Sequence, residues 1–381
     1  MKPQAWGAIA GAAGATVAGV AFGVLARKRH QIAVERQRLV TALTDESAEP
    51  GAHPPGEQSS VTADDGARLS CEEIEPTGRA ELTVVLVHGF ALDRRTWHYQ
   101  RRSLAELTDP TVRLVTYDLR SHGRSERTSR ESCTLEHLGQ DLAAVIRALA
   151  PDGPLVLVGH SMGGMTIMAL AEQDPGLFAE RVAGVALIST SAGEVGSSGL
   201  SGSLLSRRNP LTRSVGFAAR LQPWLVEGVR RAAGDVIWAV TRSFAYGDHN
   251  VAPWLVDLVD TMISTNAVDA LTDFVDTVGS HDRIAALPAL AGCEVLVAAG
   301  DADRVIPYSH SERIAAELPH ATLLRCPGAG HLPMLEQPEL LDEALAELLR
   351  RSAARAHRSS PTTRAAGPAR TGGTRRWRRH A

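Results

Sequence analysis

Short runs of apolar residues alternate along the middle of the chain with longer stretches of helical periodicity. The runs are continuous rather than alternating, which is typical of strands buried on both faces. They occupy 82–87, 112–117, 155–158, 182–188, 293–299 and 321–326, and helical patterns cover 135–149 and 339–349 among others. Such alternation predicts an α/β fold: a mostly parallel sheet with helices on both faces. Residues 61–73, with a turn at Asp64-Asp65-Gly66, predict an antiparallel pair before it.

The strand–helix alternation stops between about residues 191 and 281. Helical patterns near 210–221, 226–245 and 254–264 predict a helical insertion. Aromatic residues of the insertion include Phe217, Trp224, Trp238, Phe244, Trp254 and Phe274. As a set they indicate an enclosed apolar cavity rather than an open polar groove. Trp224 and Trp238 are candidate substrate contacts, although core packing is the alternative for any single aromatic.

The sequence Gly159-His160-Ser161-Met162-Gly163 lies where a strand pattern passes into a helix pattern. A serine at such a junction is exposed on a tight turn, with the N-terminus of a helix directed at it. Glycine at 159 and 163 suits this turn, because side chains there would collide with the neighbouring strand and helix. Ser161 is therefore the candidate nucleophile.

With this turn, the chain resembles the α/β-hydrolase family over roughly residues 61–350. The resemblance implies that an acid and then a histidine follow the serine along the chain. Gly300-Asp301-Ala302-Asp303-Arg304-Val305-Ile306-Pro307 resembles the acid loop, and Gly328-Ala329-Gly330-His331-Leu332-Pro333 resembles the histidine loop. The family spacing favours Asp303 as the acid, and Asp301 is the competitor. The resemblance thus implies a catalytic triad of Ser161, Asp303 and His331, with the insertion forming a cap.

The same resemblance implies an oxyanion hole made of two backbone N–H groups. One belongs to Met162, directly after the nucleophile. The other belongs to Phe90, in the His88-Gly89-Phe90 sequence after the first central strand. The Phe90 side chain would then line the acyl pocket, a role compatible with core packing.

Further polar residues near these motifs have structural interpretations. The segment from Asp118 to Ser125 resembles the family's Asp-x-Arg-Gly-x-Gly-x-Ser loop, with Ser121 where glycine is usual. We expect this loop to be braced by hydrogen bonds. We interpret His88 as a structural residue of its turn and His160 as packing behind the nucleophile.

Composition narrows the classes of protein. Hydrophobic residues make up 44% of 381 residues, and the mean hydropathy of −0.08 fits a globular body. Four cysteines, Cys71, Cys133, Cys293 and Cys326, lack C-x-x-C spacing, so the sequence gives no support for a zinc site. We expect them to be reduced, although an exported disulfide-bonded form stays open. The sequence implies neither a metal nor a cofactor.

The first 60 residues predict a membrane anchor, a short polar helix and a linker rather than a folded domain. Residues 5–26 carry no charge and end at Arg27-Lys28-Arg29-His30, so a membrane anchor is favoured. A cleaved signal peptide and a soluble Ala-rich helix are the alternatives. The positive residues after this segment predict a cytoplasmic catalytic domain. Residues 31–60 predict a short polar helix and then a linker.

The last residues predict a disordered basic tail over 351–381. The net charge of the chain is −3, yet residues 350–381 hold ten arginines and no acidic residue. The ending Arg375-Arg376-Trp377-Arg378-Arg379 could contact anionic lipid. Nucleic acid is an alternative partner that we do not expect, and a solvated tail is the simplest interpretation.

Together these features predict a serine hydrolase acting on carboxylic esters with small to medium acyl groups or on lipids. Serine rather than aspartate at 161 argues against the family's epoxide-hydrolase and haloalkane-dehalogenase branches. Perhydrolysis of the non-haem haloperoxidase type uses the same residues and is the alternative enzyme function. A non-catalytic binding protein on the same fold is the third hypothesis. The sequence does not define the oligomeric state.

Overall fold

An eight-stranded sheet lies at the centre of the computed structural model, which describes residues 56–195, 241–248 and 251–359. The strands are β1 (Glu57–Thr62), β2 (Arg68–Ile74), β3 (Leu82–Val87), β4 (Val112–Tyr117), β5 (Leu155–His160), β6 (Val182–Ile188), β7 (Glu294–Gly300) and β8 (Thr322–Cys326). Their order is β1-β2-β4-β3-β5-β6-β7-β8. β2 is antiparallel to both of its neighbours, and β3 to β8 are parallel. The predicted α/β architecture is confirmed.

Helices cover both faces of this sheet. The helices, of which α5 and α6 belong to the insertion, are α1 (His98–Ala105), α2 (Leu135–Leu149), α3 (Met162–Gln173), α4 (Pro175–Glu180), α5 (Pro253–Thr265), α6 (Val268–Gly279), α7 (Ser309–Glu317), α8 (Pro333–Glu336) and α9 (Pro338–Ser359). Short 3₁₀ helices occupy Arg94–Trp97, Arg130–Ser132 and Ile284–Gly292. β3, β5 and β6 are buried along their whole length, because helices pack on both sides of them. Continuous apolar runs meet that requirement.

The strand order reverses direction between β3 and β5. From β3 the chain passes to β4 on one side, and it returns to place β5 on the other side of β3. In open parallel sheets, such a reversal leaves a crevice at the carboxyl ends of the strands, where ligands bind. The segments that follow β3 and β5 contain Phe90 and Ser161. The topology therefore brings two of the predicted site segments to the same place.

The two ends of the insertion pair with each other where the chain leaves the sheet and returns to it. Gly193 and Asp282 form an isolated antiparallel bridge, and the Arg283 N–H donates to the Ala192 carbonyl at 2.7 Å. In its described part the insertion contains α5, which matches the predicted helix near 254–264, and α6, which was not predicted. Trp224, Trp238 and the predicted helix near 210–221 lie outside the described residues, as does most of the helix predicted at 226–245.

Two predicted boundaries are wrong. The linker was expected to reach Ser60, but β1 begins at Glu57, because its backbone pairs with β2 in register from Glu57 opposite Glu73. Ser59 Oγ also donates to Glu73 Oε1 at 3.0 Å. Four polar residues at the edge of a sheet form a strand here because the partner strand supplies their hydrogen bonds, which a hydropathy pattern does not reveal.

The tail was expected to be disordered from residue 351, but α9 continues to Ser359. Ser352 is fully buried, and its Oγ donates to the Leu348 carbonyl at 2.8 Å. The side chain lies against Gly184 of β6, where an added Cβ would come within 2.2 Å of Ser352 Oγ. Packing on the sheet therefore extends the helix beyond the point where its apolar pattern fades.

No helix among the described residues is long and apolar enough to cross a bilayer. The segment predicted as an anchor, residues 5–26, lies outside the described part of the chain, as do the polar helix predicted after it and residues 360–381.

Candidate active site

Ser161 occupies a strained turn between β5 and α3. Its φ of 51° and ψ of −118° lie in a region that residues with side chains avoid, at a cost of about 1–3 kcal/mol. The surroundings hold this conformation: the Ser161 N–H donates to the Ile188 carbonyl at 2.9 Å, and the Thr190 hydroxyl donates to the Ser161 carbonyl at 2.7 Å. The first turn of α3 begins directly after Ser161, so its unpaired N–H groups lie beside the hydroxyl.

The glycines on either side of Ser161 let the turn pack closely. A Cβ on Gly163 would lie 2.1 Å from the carbonyl oxygen of Val87 at the end of β3. A Cβ on Gly159 would lie 2.6 Å from backbone atoms of Gly163 and Gly164. Neither position has room for a side chain, because the obstructing atoms are backbone. The steric reason given for these two glycines from the sequence holds in the structure.

The structure brings Ser161, His331 and Asp303 together. His331 Nε2 lies 3.1 Å from Ser161 Oγ, and His331 Nδ1 lies 2.8 Å from Asp303 Oδ2. Since a carboxylate can only accept, Nδ1 carries the ring proton and Nε2 presents a lone pair to the serine. The Asp303 side chain has no exposed surface, whereas 11% of the His331 side chain is exposed. This arrangement can remove a proton from Ser161.

Asp303 and Asp301 have different environments. The second oxygen of Asp303 accepts from the N–H groups of Val305 and Ile306 at 2.8 and 2.9 Å, which fixes the carboxylate toward His331. Asp301 instead accepts from Gly328 N–H at 2.6 Å and from Arg325 Nε at 2.9 Å. The Gly328 N–H is the main cause that lowers the pKa of Asp301. The geometry joins Asp303 to the histidine and leaves Asp301 to brace the turn.

The loop that carries His331 is held by the returning end of the insertion. The His331 N–H donates to the Ala245 carbonyl at 2.8 Å. Glu336 accepts from Gly247 N–H with one oxygen and from Gly330 N–H with the other, both at 2.7 Å. Burial raises the pKa of Glu336, and these N–H groups partly offset that effect. This carboxylate therefore ties the insertion to the residue directly before His331.

Phe90 lies in a tight turn that packs against Ser161. The Leu92 N–H donates to the Gly89 carbonyl at 3.3 Å, which makes Phe90 and Ala91 the central residues of a β-turn. A Cβ on Gly89 would lie 3.1 Å from Ser161 Cβ. Within the described residues, neither Phe90 nor Met162 donates its N–H to a backbone carbonyl. In the described part of the chain, both amides are therefore candidate donors to a ligand at Ser161.

Two histidines near Phe90 are buried and neutral. Burial lowers the pKa of His88 to about 4 and that of His122 to about 3. His88 joins its own turn to the next loop, because Nδ1 bonds the Gly89 carbonyl at 2.8 Å and Nε2 accepts from Leu119 N–H at 2.9 Å. The His122 ring packs in a T-shaped arrangement against Phe90 and in a tilted one against Phe274 from α6. His88 therefore has a structural role, as its place in the sequence indicates.

The loop after β4 is braced around Asp118. Its carboxylate accepts from the N–H groups of Arg94 and Arg124, both at 2.9 Å. Ser121 has a φ of 61°, which explains why glycine is the more usual residue at this position. The Ser121 Oγ accepts from Thr128 N–H at 3.0 Å, so the serine has local support for that conformation. The expected bracing is present.

Sequence reasoning missed two residues that hold the site from a distance. Glu336 follows His331 closely, but nothing in the pattern distinguishes it from a surface carboxylate. Asn266, between α5 and α6, bonds Ala91 and Gly123, which lie 175 and 143 positions away in the sequence. No local signal could reveal such partners. Among the described residues, no group of His, Cys, Asp and Glu side chains is arranged to hold a metal ion.

Comparisons with known proteins find relatives that match most of the chain. The chain is 25% identical over 292 residues to the uncharacterized hydrolase YugF of Bacillus subtilis, covering 75% of this chain and 96% of that protein. It is 28% identical over 296 residues to a non-heme chloroperoxidase of Streptomyces lividans, covering 75% and 97% respectively.

Among solved structures, a thermophilic esterase from Thermogutta terrifontis superposes with a TM-score of 0.61 at 27% identity, over 78% of this chain and 99% of the esterase. A model of the alpha/beta hydrolase family matches residues 84–344. With that match over most of its length and the sheet described above, the chain belongs to the alpha/beta hydrolase family.

Proposed function

We propose that the protein is a serine hydrolase that cleaves carboxylic esters through an acyl-enzyme. The observation that carries this proposal is the continuous hydrogen-bonded path from Ser161 Oγ through His331 to Asp303, at 3.1 and 2.8 Å. A serine hydroxyl is a weak nucleophile at neutral pH, and a neutral imidazole at hydrogen-bond distance activates it. Similarity to an esterase at 27% identity supports the same reaction class.

In the first half of the reaction, His331 Nε2 takes the proton of Ser161 as Oγ attacks the ester carbonyl carbon. The carbonyl π electrons move to oxygen and form a tetrahedral oxyanion. When the intermediate collapses, the bond to the alkoxy group breaks, and His331 gives its proton to the departing alcohol. Asp303 stabilises the imidazolium and keeps Nε2 directed at the serine without itself taking a proton.

In the second half, a water molecule replaces the alcohol. His331 removes a proton from the water as its oxygen attacks the acyl carbon. Collapse of the second tetrahedral intermediate breaks the bond to Ser161 Oγ and returns the proton to it. The products are a carboxylic acid and a regenerated serine.

The oxyanion is bound by the N–H groups of Phe90 and Met162. Met162 is the first residue of α3, so its N–H has no partner within the helix, and the helix dipole favours negative charge at that end. Phe90 is the first central residue of its turn, whose hydrogen bond leaves that N–H unused. Donors held in place before reaction act most strongly on the charge that develops in the transition state.

The residues around Phe90 favour an apolar acyl group. The Phe90 side chain is half-buried, and the neutral His122 ring packs against both Phe90 and the buried Phe274 of α6. An aromatic wall on the cap side suits small to medium acyl chains, and lipid esters stay within the proposal. Substrate contacts by Trp224 and Trp238 stay predictions, as does the membrane location implied by residues 5–26.

A panel of p-nitrophenyl esters from acetate to laurate tests this function on the full chain. We expect saturable turnover that depends on chain length, and no turnover by Ser161→Ala. Asp301→Asn serves as a folded control that keeps the triad. Absence of turnover across the panel, with correctly folded protein, would contradict the proposal and favour a binding role for the same fold.

Perhydrolysis is the second candidate, because a non-heme chloroperoxidase is among the relatives. In that reaction, hydrogen peroxide replaces water as the acceptor of the acyl group and forms a peracid. Halide oxidation measured with peroxide and acetate separates the two functions. A peroxide-dependent rate exceeding ester hydrolysis, and lost in Ser161→Ala, would favour the perhydrolase.

A further inference from the structure

Asn266 joins the insertion to the loops that follow β3 and β4. It lies in the short connection between α5 and α6 and is 3% exposed. Its Nδ2 donates to the Ala91 carbonyl and to the Met262 carbonyl, both at 2.9 Å. Its Oδ1 accepts from Gly123 N–H at 3.0 Å. One buried amide thus bonds three separate segments.

The bond to Ala91 acts on a strained residue. Ala91 follows Phe90 and has a φ of 62°, a conformation that residues with a Cβ rarely adopt. At the second central position of a β-turn, a positive φ ordinarily calls for glycine. The hydrogen bond that closes this turn, from Leu92 N–H to the Gly89 carbonyl, is long at 3.3 Å. The turn therefore needs support from outside its own sequence, and Asn266 supplies a donor to it.

The orientation of this turn determines where the Phe90 N–H points. Gly89 and Ala91 flank Phe90, and each has its carbonyl fixed by a side chain. His88 Nδ1 bonds the Gly89 carbonyl at 2.8 Å, and Asn266 Nδ2 bonds the Ala91 carbonyl. The first tether comes from the turn itself, whereas the second comes from the insertion. The Phe90 N–H shares a peptide unit with the Gly89 carbonyl, so release of the second tether would let Ala91 relax toward negative φ and shift the turn that carries this N–H.

We propose that Asn266 is a positioning residue through which the cap sets the oxyanion hole. This inference rests on the proposed ester hydrolysis. It assigns to the side-chain amide of Asn266 the connection between the cap and the loop that carries Phe90. Asn266 itself touches no reacting atom. It acts through Ala91 on the donor that stabilises the transition state, so its loss should lower kcat more than it raises KM.

The test uses Asn266→Asp in the full chain. Aspartate is similar in size and keeps an acceptor for Gly123 N–H, but it cannot donate to the Ala91 carbonyl. We expect kcat for a p-nitrophenyl ester to fall by about 10- to 100-fold, with KM changed by less than about threefold. Labelling of Ser161 by a fluorophosphonate should still reach full stoichiometry. Asn266→Ala, which buries no charge, is measured in parallel in case the carboxylate prevents folding.

Thr265→Ala is the matched control. Thr265 is the neighbouring residue, and its exposed side chain donates from its hydroxyl to the same Met262 carbonyl at 2.8 Å. We expect this variant to keep wild-type kcat. A similar loss in Thr265→Ala and Asn266→Asp would overturn the inference, because it would assign the effect to the end of α5.

A double-mutant cycle with Ala91→Gly gives the sharper readout. Glycine adopts a positive φ without strain, so the turn should depend less on Asn266 in that background. We expect the loss caused by Asn266→Asp to be smaller on Ala91→Gly than on wild type, which is a non-additive result. Additive losses, or wild-type kcat in Asn266→Asp, would overturn the positioning role while leaving ester hydrolysis in place. A wild-type chain without esterase activity would instead overturn the proposed function, and this inference with it.

Discussion

His160 Nε2 lies 2.9 Å from the carbonyl oxygen of His331. A carbonyl oxygen can only accept, so Nε2 carries the ring proton of His160 and donates it. The two rings are 4.8 Å apart between centroids, and burial lowers the pKa of His160 well below its usual value. His160 is thus a neutral donor that ties the nucleophile turn to the histidine loop. It places no positive charge beside the ring that becomes cationic in the proposed reaction.

Ser161→Ala should abolish covalent labelling by a fluorophosphonate and lower kcat by at least about a thousandfold, because the proposed nucleophile is lost. Labelling is followed by intact-protein mass spectrometry. Ser189→Ala is a matched control, since Ser189 also follows a buried strand with a positive φ of 45°. That variant should label normally. Label that persists on Ser161→Ala would refute the assignment of the nucleophile.

Asp303→Asn should reduce kcat by about a hundredfold or more, because an amide can present a donor to His331 and favour the wrong tautomer. Asp301→Asn should keep most of the activity, since Asp301 contacts Gly328 and Arg325 rather than the histidine. Steady-state kinetics on one ester compares the two variants. Equal losses would remove the distinction that the hydrogen bonds draw between these carboxylates.

Glu336→Gln should lower the free energy of unfolding by about 1–3 kcal/mol, because one of two buried N–H groups would lose its acceptor or face an NH₂ group. Those groups belong to Gly247 and Gly330. Urea unfolding at neutral pH measures the change. Glu343→Gln, on the exposed side of α9, should change stability by less than about 0.5 kcal/mol. If the two variants are equally stable, Glu336 does not hold the histidine loop as described.

Stability should fall in mild acid, and His281 should contribute to the fall. Burial lowers the pKa of His281 to about 4, while the unfolded residue titrates near 6.5. Between these values the unfolded state binds more protons, so this contribution is complete above the unfolded pKa and is lost as pH falls through the folded one. The loss approaches about 1.4 kcal/mol per pH unit.

His281→Gln tests that slope, because glutamine can still donate to the Ser191 carbonyl that His281 Nε2 bonds at 2.8 Å. Urea unfolding at several pH values between about 6 and 4.5 should show a shallower dependence than wild type, by roughly one proton. His320→Gln is the control at an exposed histidine. An unchanged slope in His281→Gln would show that the protonation of other groups governs acid unfolding.

Deletion of residues 1–30 should release the protein from membranes. Residues 5–26 are uncharged and, as a helix, would extend about 33 Å, enough to span a hydrocarbon core. Fractionation of cells that express the full or shortened chain measures this. The full chain should require detergent for extraction. Release of the full chain by a salt wash would instead indicate electrostatic attachment, as through the arginine-rich end at 375–379.

The order of strands and helices could be read from the sequence because each buried parallel strand needs a continuous apolar run. The bounds of β3, β4 and β6 agree with those runs residue for residue. Glycine spacing around Ser161 indicated the tight turn for the same kind of reason, since the steric limits of a turn are local. Elements whose stability depends on a partner were misjudged: β1 needs β2, and the end of α9 needs Gly184.

The site likewise contains residues that local motifs identify and residues that only tertiary contacts identify. Ser161 and His331 could be named from their motifs, but two aspartates fitted the acid loop, and only the folded loop gives Asp303 the bond to the histidine. Asn266 and Glu336 gave no sequence signal, because their roles depend on backbone groups that are distant in sequence or that belong to another loop. Local chemistry therefore determined the sheet, the turns and the residue types of the site. Tertiary structure decided which carboxylate meets the imidazole and how the cap holds the loops, because those contacts exist only once distant segments pack together.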